Sequence, residues 1–374
     1  MKKLLKITLL IISCIYSNQN VYAAPKICSD YIDFLQLFYV NGMFTSYEAF
    51  LENKRALNQF QDGFLNQSYK KASSVKGAYN DNEFFVSQLA EVAKHKIEDI
   101  AETQSIKNKL EEAVYQVLLG NPVQEIKKDL LIDIIAHNWN YFLPSIINEN
   151  DYINAISQLK NTINGCSRNV LVSHSQGNFY ANKLIDDMYS KHILPGGWLL
   201  TDYPMLGLMS IANPANTIGD QTGTKNPNLV GHITNDNDLI MLAVRDALEA
   251  VDSNFKSSFN SSDWSGHSII ESYLSQPQQA KYISTSIIAI ADSMLPVPMY
   301  NQNLTQSSAI ESYGYSDVNH ILDIKFSAKY IYRYSSVPGA VITDFNQAIS
   351  KGGFYNQFVK GKYESKKIEQ GSKY

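Results

Sequence analysis

Short continuous apolar runs are separated by longer stretches of helical periodicity along most of this chain. Leu35 to Val40, Val170-Leu171-Val172, Met205 to Ala212 and Leu229 to Thr234 each end in Asn, Gly, Ser or Pro and read as strands. Between the first two, Ser46 to Phe60 reads as a helix. Phe85, Leu89 and Val92, then Ala93, Ile97 and Ile100, keep an apolar stripe at helical spacing. Ile106, Leu110, Val114, Val117 and Leu118 form a second stripe, and Leu130 to Ile135 a third apolar helix. A helix over Gln278 to Met294 follows the last of these strands, and Pro296-Val297-Pro298 with the polar run Asn301 to Ser308 reads as a linker. Beyond it the pattern changes to three short strands, Ala309 to Tyr315, His320 to Phe326 and Lys329 to Tyr334, and a helix over Pro338 to Ser350.

Composition narrows the class. With 374 residues, 44% hydrophobic and 18% charged, and a formal net charge of −4, the chain suits a soluble globular protein with room for two domains. Met1-Lys2-Lys3, the apolar stretch Leu4 to Ile15 and Val21-Tyr22-Ala23 predict a secretory signal peptide over residues 1–23, too short to span a bilayer as a mature helix. Ile11-Ile12-Ser13-Cys14 offers the alternative of a lipoprotein processed at Cys14. Either route predicts a periplasmic or secreted protein. No repeat, glycine-rich phosphate loop or clustered metal-ligand set occurs, so no cofactor or metal is expected.

The chemistry centres on Ser173-His174-Ser175-Gln176-Gly177, entered from Val170-Leu171-Val172 and followed by Asn178-Phe179-Tyr180-Ala181. A strand, a sharp turn and a helix with Ser175 at the apex is where a serine hydrolase holds its nucleophile. The pattern is G-x-S-x-G with Ser173 for the first glycine; a helix N-cap is the other use of a serine in such a turn. Downstream, Leu229 to Thr234 runs into Asn235-Asp236-Asn237-Asp238, where either aspartate could be the triad acid or a turn residue, with Asp238 preferred. His267, in the Ser/Gly loop Trp264 to Ile270, is the histidine that follows the acid and can reach the same sheet edge. Of the other six histidines, His95, His137 and His192 precede the acid, His232 lies in a strand and His320 in the C-terminal segment. His174 adjoins the serine but points away from it if the strand continues.

This order of serine, acid and histidine resembles the α/β-hydrolase superfamily. The resemblance implies an α/β fold with a mostly parallel sheet over residues 24–298 and a helical cap insertion at about 83–160. It also implies an oxyanion hole from the N–H groups of Met43, in Asn41-Gly42-Met43-Phe44, and Gln176; the family's His-Gly is Asn-Gly here. An Asn-Gly turn is the alternative for that segment. In such a sheet the oxyanion and nucleophile strands are neighbours, and Cys28 and Cys166 shortly precede them. They form either a disulfide, worth about 4–5 kcal/mol in the chain-entropy picture, or two unrelated thiols.

At the C-terminus, Ile310-Glu311-Ser312-Tyr313-Gly314-Tyr315, Tyr332-Arg333-Tyr334, Val337-Pro338, Ser350-Lys351-Gly352, Phe354-Tyr355-Asn356 and Lys360-Gly361-Lys362-Tyr363 resemble the KTSC domain. The expected division is 1–23 signal peptide, 24–298 hydrolase, 299–307 linker and 308–367 KTSC, a small α+β domain. From Ile324 to Tyr374 nine Lys or Arg face three Asp or Glu, net +6, interleaved with tyrosines. That pattern suits phosphate contact and a solvated face equally. For an exported protein it predicts an envelope polyanion or a protein partner, with peripheral envelope association, in preference to nucleic acid.

The expected activity is serine esterase or lipase chemistry on a small-molecule or lipid ester through Ser175, Asp238 and His267. Thioester cleavage or acyl transfer by the same triad, and a non-catalytic scaffold presenting the KTSC domain, are the alternatives.

Overall fold

Seven residues, Arg168–His174, form a strand with every side chain buried, as its apolar run predicts. The computed structural model describes residues 34–42, 45–80, 97, 103–118, 130, 149–165, 167–194, 197–294, 302–317, 320–328 and 330–368. Arg168–His174 is strand β4 of a six-stranded sheet that also contains β1 (Phe34–Val40), β2 (Lys70–Lys71), β3 (Lys76–Ala78), β5 (Leu206–Ile211) and β6 (Val230–Ile233). The order is β2-β1-β4-β5-β6, with β3 also paired to β1, and these pairings are parallel. Leu35 lies opposite Arg168 and Val40 opposite Ser173, while His174 lies opposite Ile211 and Ile211 opposite Ile233. β1, β4, β5 and β6 therefore end together, and the loops that leave them share one edge.

Helices cover the sheet because strands this apolar must be buried on both faces. Gly177–Lys191 places Tyr180, Ala181, Leu184, Ile185 and Met188 inside and packs on β1, β4 and β5. Burying Leu184, Ile185 and Met188 contributes about 1.5–3 kcal/mol each. Pro277–Asp292 packs on β4, β5 and β6 through a face that buries Ile283, Ile287 and Ile290. Its approach is close: a Cβ at Gly207 would lie 2.3 Å from Ile290 and 2.7 Å from the Leu229 carbonyl. Tyr47–Phe60 is helical as expected, capped by Ser46. Of the helical insertion, Gln104–Leu118 and Glu149–Ile163 are seen as helices. The stripe from Phe85 to Ile100, apart from Ile97, and the helix Leu130 to Ile135, apart from Leu130, lie outside the described residues. So do the leader 1–23, Cys14, Cys28 and Cys166. Among the described residues no helix is long and apolar enough to cross a membrane.

The second sheet is antiparallel: β7 (Asn303–Leu304), β8 (Ile310–Ser316), β9 (Ile321–Phe326), β10 (Ile331–Tyr334) and β11 (Ser365–Ile368), in the order β11-β10-β9-β8-β7. Ile342 and Phe345 of the helix Gly339–Gln347 close its core with Ile310, Tyr313, Leu322, Ile324 and Val359. The run read as a linker is not plain connection: β7 lies inside it, and Gln302 Nε2 donates to Ser312 Oγ at 2.7 Å.

The two sheets meet through charge and through Ile331 of β10, which is buried in the apolar core of the first. Tyr203, three residues before β5 and edge-on to Trp198 at 5.1 Å, donates its hydroxyl to Asp323 at 2.7 Å. Asp323 is fully buried and forms a two-pronged pair, 2.9 Å at each contact, with Arg333 opposite it on β10. Lys325 adds an ion pair to Asp202 at 3.1 Å. Because Tyr203 precedes β5, this contact lies at the sheet edge away from the loops that follow the strands. Asp323→Ala removes the carboxylate that pairs with Arg333 and accepts from Tyr203, at an expected cost of about 3–5 kcal/mol. Chemical denaturation of the full chain checks this; a loss under about 1 kcal/mol would show that Asp323 does not tie the sheets together.

Candidate active site

Ser175 directly follows β4 with φ 53°, the left-handed region that a non-glycine residue enters only when its surroundings enforce it. The enforcement is visible. Ser175 N–H donates to the Ile211 carbonyl at 3.1 Å, and the buried Asn178 side chain donates to the Ser175 carbonyl at 2.7 Å and the Ile211 carbonyl at 3.0 Å. The Asn178 oxygen in turn accepts from Ser173 Oγ at 2.6 Å and from Ser210 Oγ. Ser173 thus has a use for its hydroxyl where the common pattern has glycine. Gly177 cannot be replaced as easily: a Cβ there would lie 2.5 Å from the Val40 carbonyl and 2.6 Å from that of Asn41. Gln176 follows Ser175 in helical conformation as the cap of Gly177–Lys191, buried.

His267 stands between the other two. Its Nε2 is 3.0 Å from Ser175 Oγ, and its Nδ1 is 3.0 and 2.9 Å from the two oxygens of Asp238. Asp238 caps the helix Leu239–Leu248, accepting from Met241 N–H at 3.0 Å, so it is both a helix cap and the partner of His267. Tyr273 donates to the same carboxylate at 2.9 Å. Asp236 is exposed and accepts from Ser257 instead. The His267 loop is tied down by the buried Asp263, which accepts from Ser265 and Ser268 N–H groups and from the Ser265 and Ser272 hydroxyls. Burial disfavours a charged His267, but the Asp238 carboxylate, and Asp263 behind it, outweigh this and raise its pKa above the ordinary 6.5.

β1 delivers Asn41 and Gly42 to the same place. A Cβ at Gly42 would sit 2.6 Å from Ser175 Cβ and 2.8 Å from the His174 carbonyl, so the backbone here lies against the serine. The turn is buckled by Asn41, which donates to the Asn80 carbonyl at 3.0 Å and accepts from Asn80 N–H at 2.8 Å. Met43, the expected oxyanion donor, lies outside the described residues.

His174, set aside in sequence because it should face away from the serine, reaches the His267 carbonyl with Nε2 at 2.8 Å. Asn178, Asp263 and Tyr273 also support the site, and although they stand within six residues of Ser175 or His267, nothing in their sequence setting tells where their side chains point. Among the described residues no group of three or more His, Cys, Asp or Glu side chains could hold a metal ion.

The arrangement can take a proton from a serine hydroxyl, hold it on an imidazole, and stabilise the resulting imidazolium with a buried carboxylate. The other sheet is similar to known proteins. Residues 306–363 match the KTSC domain family, against an expected 308–367. A lysine–tRNA ligase of Nostoc punctiforme is 33% identical over 63 residues, 17% of this chain and 11% of the ligase, so the chain spans about a tenth of that relative's length. A protein of Stutzerimonas stutzeri is 40% identical over 55 residues, 15% of this chain and 78% of the relative. The crystal structure of a KTSC domain protein from Yersinia pestis is 37% identical and covers 18% of this chain and 96% of its own, with a TM-score of 0.18. The chain thus carries a member of the KTSC domain family at its C-terminal end, following an α/β region built on a parallel sheet.

Proposed function

We propose that the protein is an exported serine hydrolase of the α/β-hydrolase type that cleaves carboxylic esters. One observation carries the reading: a single imidazole lies 3.0 Å from a serine Oγ held at positive φ and 2.9 Å from a buried carboxylate. In the proposed cycle His267 Nε2 takes the Ser175 proton as Oγ attacks the ester carbonyl. Asp238 holds the Nδ1–H and the positive charge, and the backbone N–H groups of Gln176 and Met43 receive the oxyanion. The imidazolium then protonates the leaving alcohol, and water, deprotonated by the same ring, releases the acyl group from Ser175. The close fit of Gly42 on Ser175 supports a role for the Asn41-Gly42-Met43 turn in this step.

Turnover of p-nitrophenyl esters of graded chain length, compared with acyl-thioesters, tests the reading. Ester hydrolysis abolished by Ser175→Ala supports it; thioester turnover alone would make the protein a thioesterase, and neither would leave a binding protein. Export is checked by the mature N-terminus, expected at Ala24.

The pH dependence has a definite sign. The base must be neutral to accept a proton, and its pKa is raised by Asp238 and Asp263 against burial. The acid limb of kcat/KM is therefore expected to rise with a midpoint above 6.5. A midpoint below that value contradicts the charge arrangement around His267.

A further inference from the structure

The His174 ring is buried, 6% exposed, and sits on the strand that delivers Ser175, yet it faces two other loops of the site. Its Nε2 lies 2.8 Å from the backbone carbonyl of His267, and the two imidazoles are 4.8 Å apart at 44°. On its other side a Cβ at Gly42 would come within 3.2 Å of Nδ1, so that nitrogen lies against the turn from β1. Tyr273, the donor to Asp238, stands edge-on to the ring at 6.3 Å. One side chain thus spans the strand carrying the serine, the turn after β1 and the loop carrying the histidine.

The carbonyl fixes the tautomer. A backbone oxygen only accepts, so Nε2 must carry the proton and Nδ1 the lone pair. Burial, with His267 beside it, holds the His174 pKa well below the usual range, which keeps the ring neutral. Among the described residues the groups facing the pair are the carboxylates Asp238 and Asp263, both on the His267 side, and the Tyr273 hydroxyl bonded to Asp238.

We propose that His174 is a positioning residue for the general base. Its Nε2–H grips the His267 backbone from the β4 side while Asp238 grips the ring, so that two hydrogen bonds fix the imidazole against Ser175 Oγ. This rests on the hydrolase reading for its effect on rate, but the grip itself can be measured without substrate. Misplacing a reacting group by about 1 Å costs about a hundredfold in rate, which bounds the effect. Gln can place an amide N–H where Nε2–H stands; Leu fills the space without a donor.

His174→Gln is expected to keep kcat within about threefold, and His174→Leu to lower it by about 10–100-fold with KM nearly unchanged. In histidine-labelled full-length protein, ¹⁵N spectra are expected to show His174 protonated on Nε2 only, and the His267 titration shifted in His174→Leu but not in His174→Gln. Leu equal to wild type in kcat and in the His267 titration overturns the proposal and leaves the hydrolase reading intact. A wild type without ester turnover overturns the hydrolase reading, and the His267 titrations then decide the grip alone. If His174→Leu does not fold, the comparison is between Gln and the shorter Asn, and equal behaviour of those two overturns the proposal.

Discussion

Asp238→Asn lowers kcat on a p-nitrophenyl ester by about ten-thousandfold while Asp236→Asn, two residues away, stays within about threefold. The sequence leaves these aspartates nearly equivalent, both in a loop just past β6. Geometry separates them: Asp238 is fully buried with both oxygens on His267 Nδ1, whereas Asp236 is exposed and bonded to Ser257. An amide at 238 can present a donor to Nδ1 and so favours the tautomer with the proton on Nε2. That nitrogen can then no longer accept from Ser175. The fold should survive, because Asn keeps an oxygen for the Met241 N–H that Asp238 caps. Steady-state kinetics with a circular-dichroism control checks this, and equal, mild effects at both positions would remove Asp238 from the triad.

Gly42→Ala has the second largest expected effect. The new methyl would lie 2.6 Å from Ser175 Cβ, 2.8 Å from the His174 carbonyl and 3.2 Å from His174 Nδ1. Two of these belong to the strained turn that Asn178 and β5 hold in place, so the turn after β1 is the part that must retreat. Losing one oxyanion donor costs about a hundred- to a thousandfold in kcat, and overpacking adds about 1–3 kcal/mol of destabilisation. Gly63→Ala is the matched control, since a Cβ there meets nothing within 4 Å. Comparing kcat and melting temperature of the two variants checks the expectation; a Gly42→Ala enzyme of normal activity would show that this turn does not serve the oxyanion.

What could be read in advance was local. The runs Leu35 to Val40 and Val170-Leu171-Val172 announce strands because a strand buried on both faces is apolar without alternation. The turn residues after them mark the loops where Gly42 and Ser175 stand, as those after Leu229 to Thr234 mark the loop of Asp238. β2, of two lysines, and β3, Lys-Gly-Ala, carry no such signal, since they owe their conformation to pairing with β1. The supports of the site were silent for a similar reason. Asn178 looks like any polar residue in a first helical turn, and only the closeness of Ser173 and Ser210 to its oxygen, and of the Ser175 and Ile211 carbonyls to its nitrogen, shows its carboxamide filled on both sides. Asp263 lies in irregular backbone, where no periodicity assigns a direction to a side chain, and Tyr273 lies in the short π-helical segment Ile269–Leu274, whose spacing departs from the 3.6-residue period. The β4 pattern places His174 opposite Ile211, but whether its ring meets another loop depends on where His267 stands.

The central claim is that Ser175 is a nucleophile activated by His267. Incubating the intact chain with a fluorophosphonate and mapping the adduct by peptide mass spectrometry tests it most directly, because the probe needs an activated serine but no knowledge of the natural ester. One adduct per chain, on Ser175, abolished in Ser175→Ala and strongly slowed in His267→Ala, is the predicted result. No adduct on folded protein, or labelling that persists in Ser175→Ala, would contradict the account.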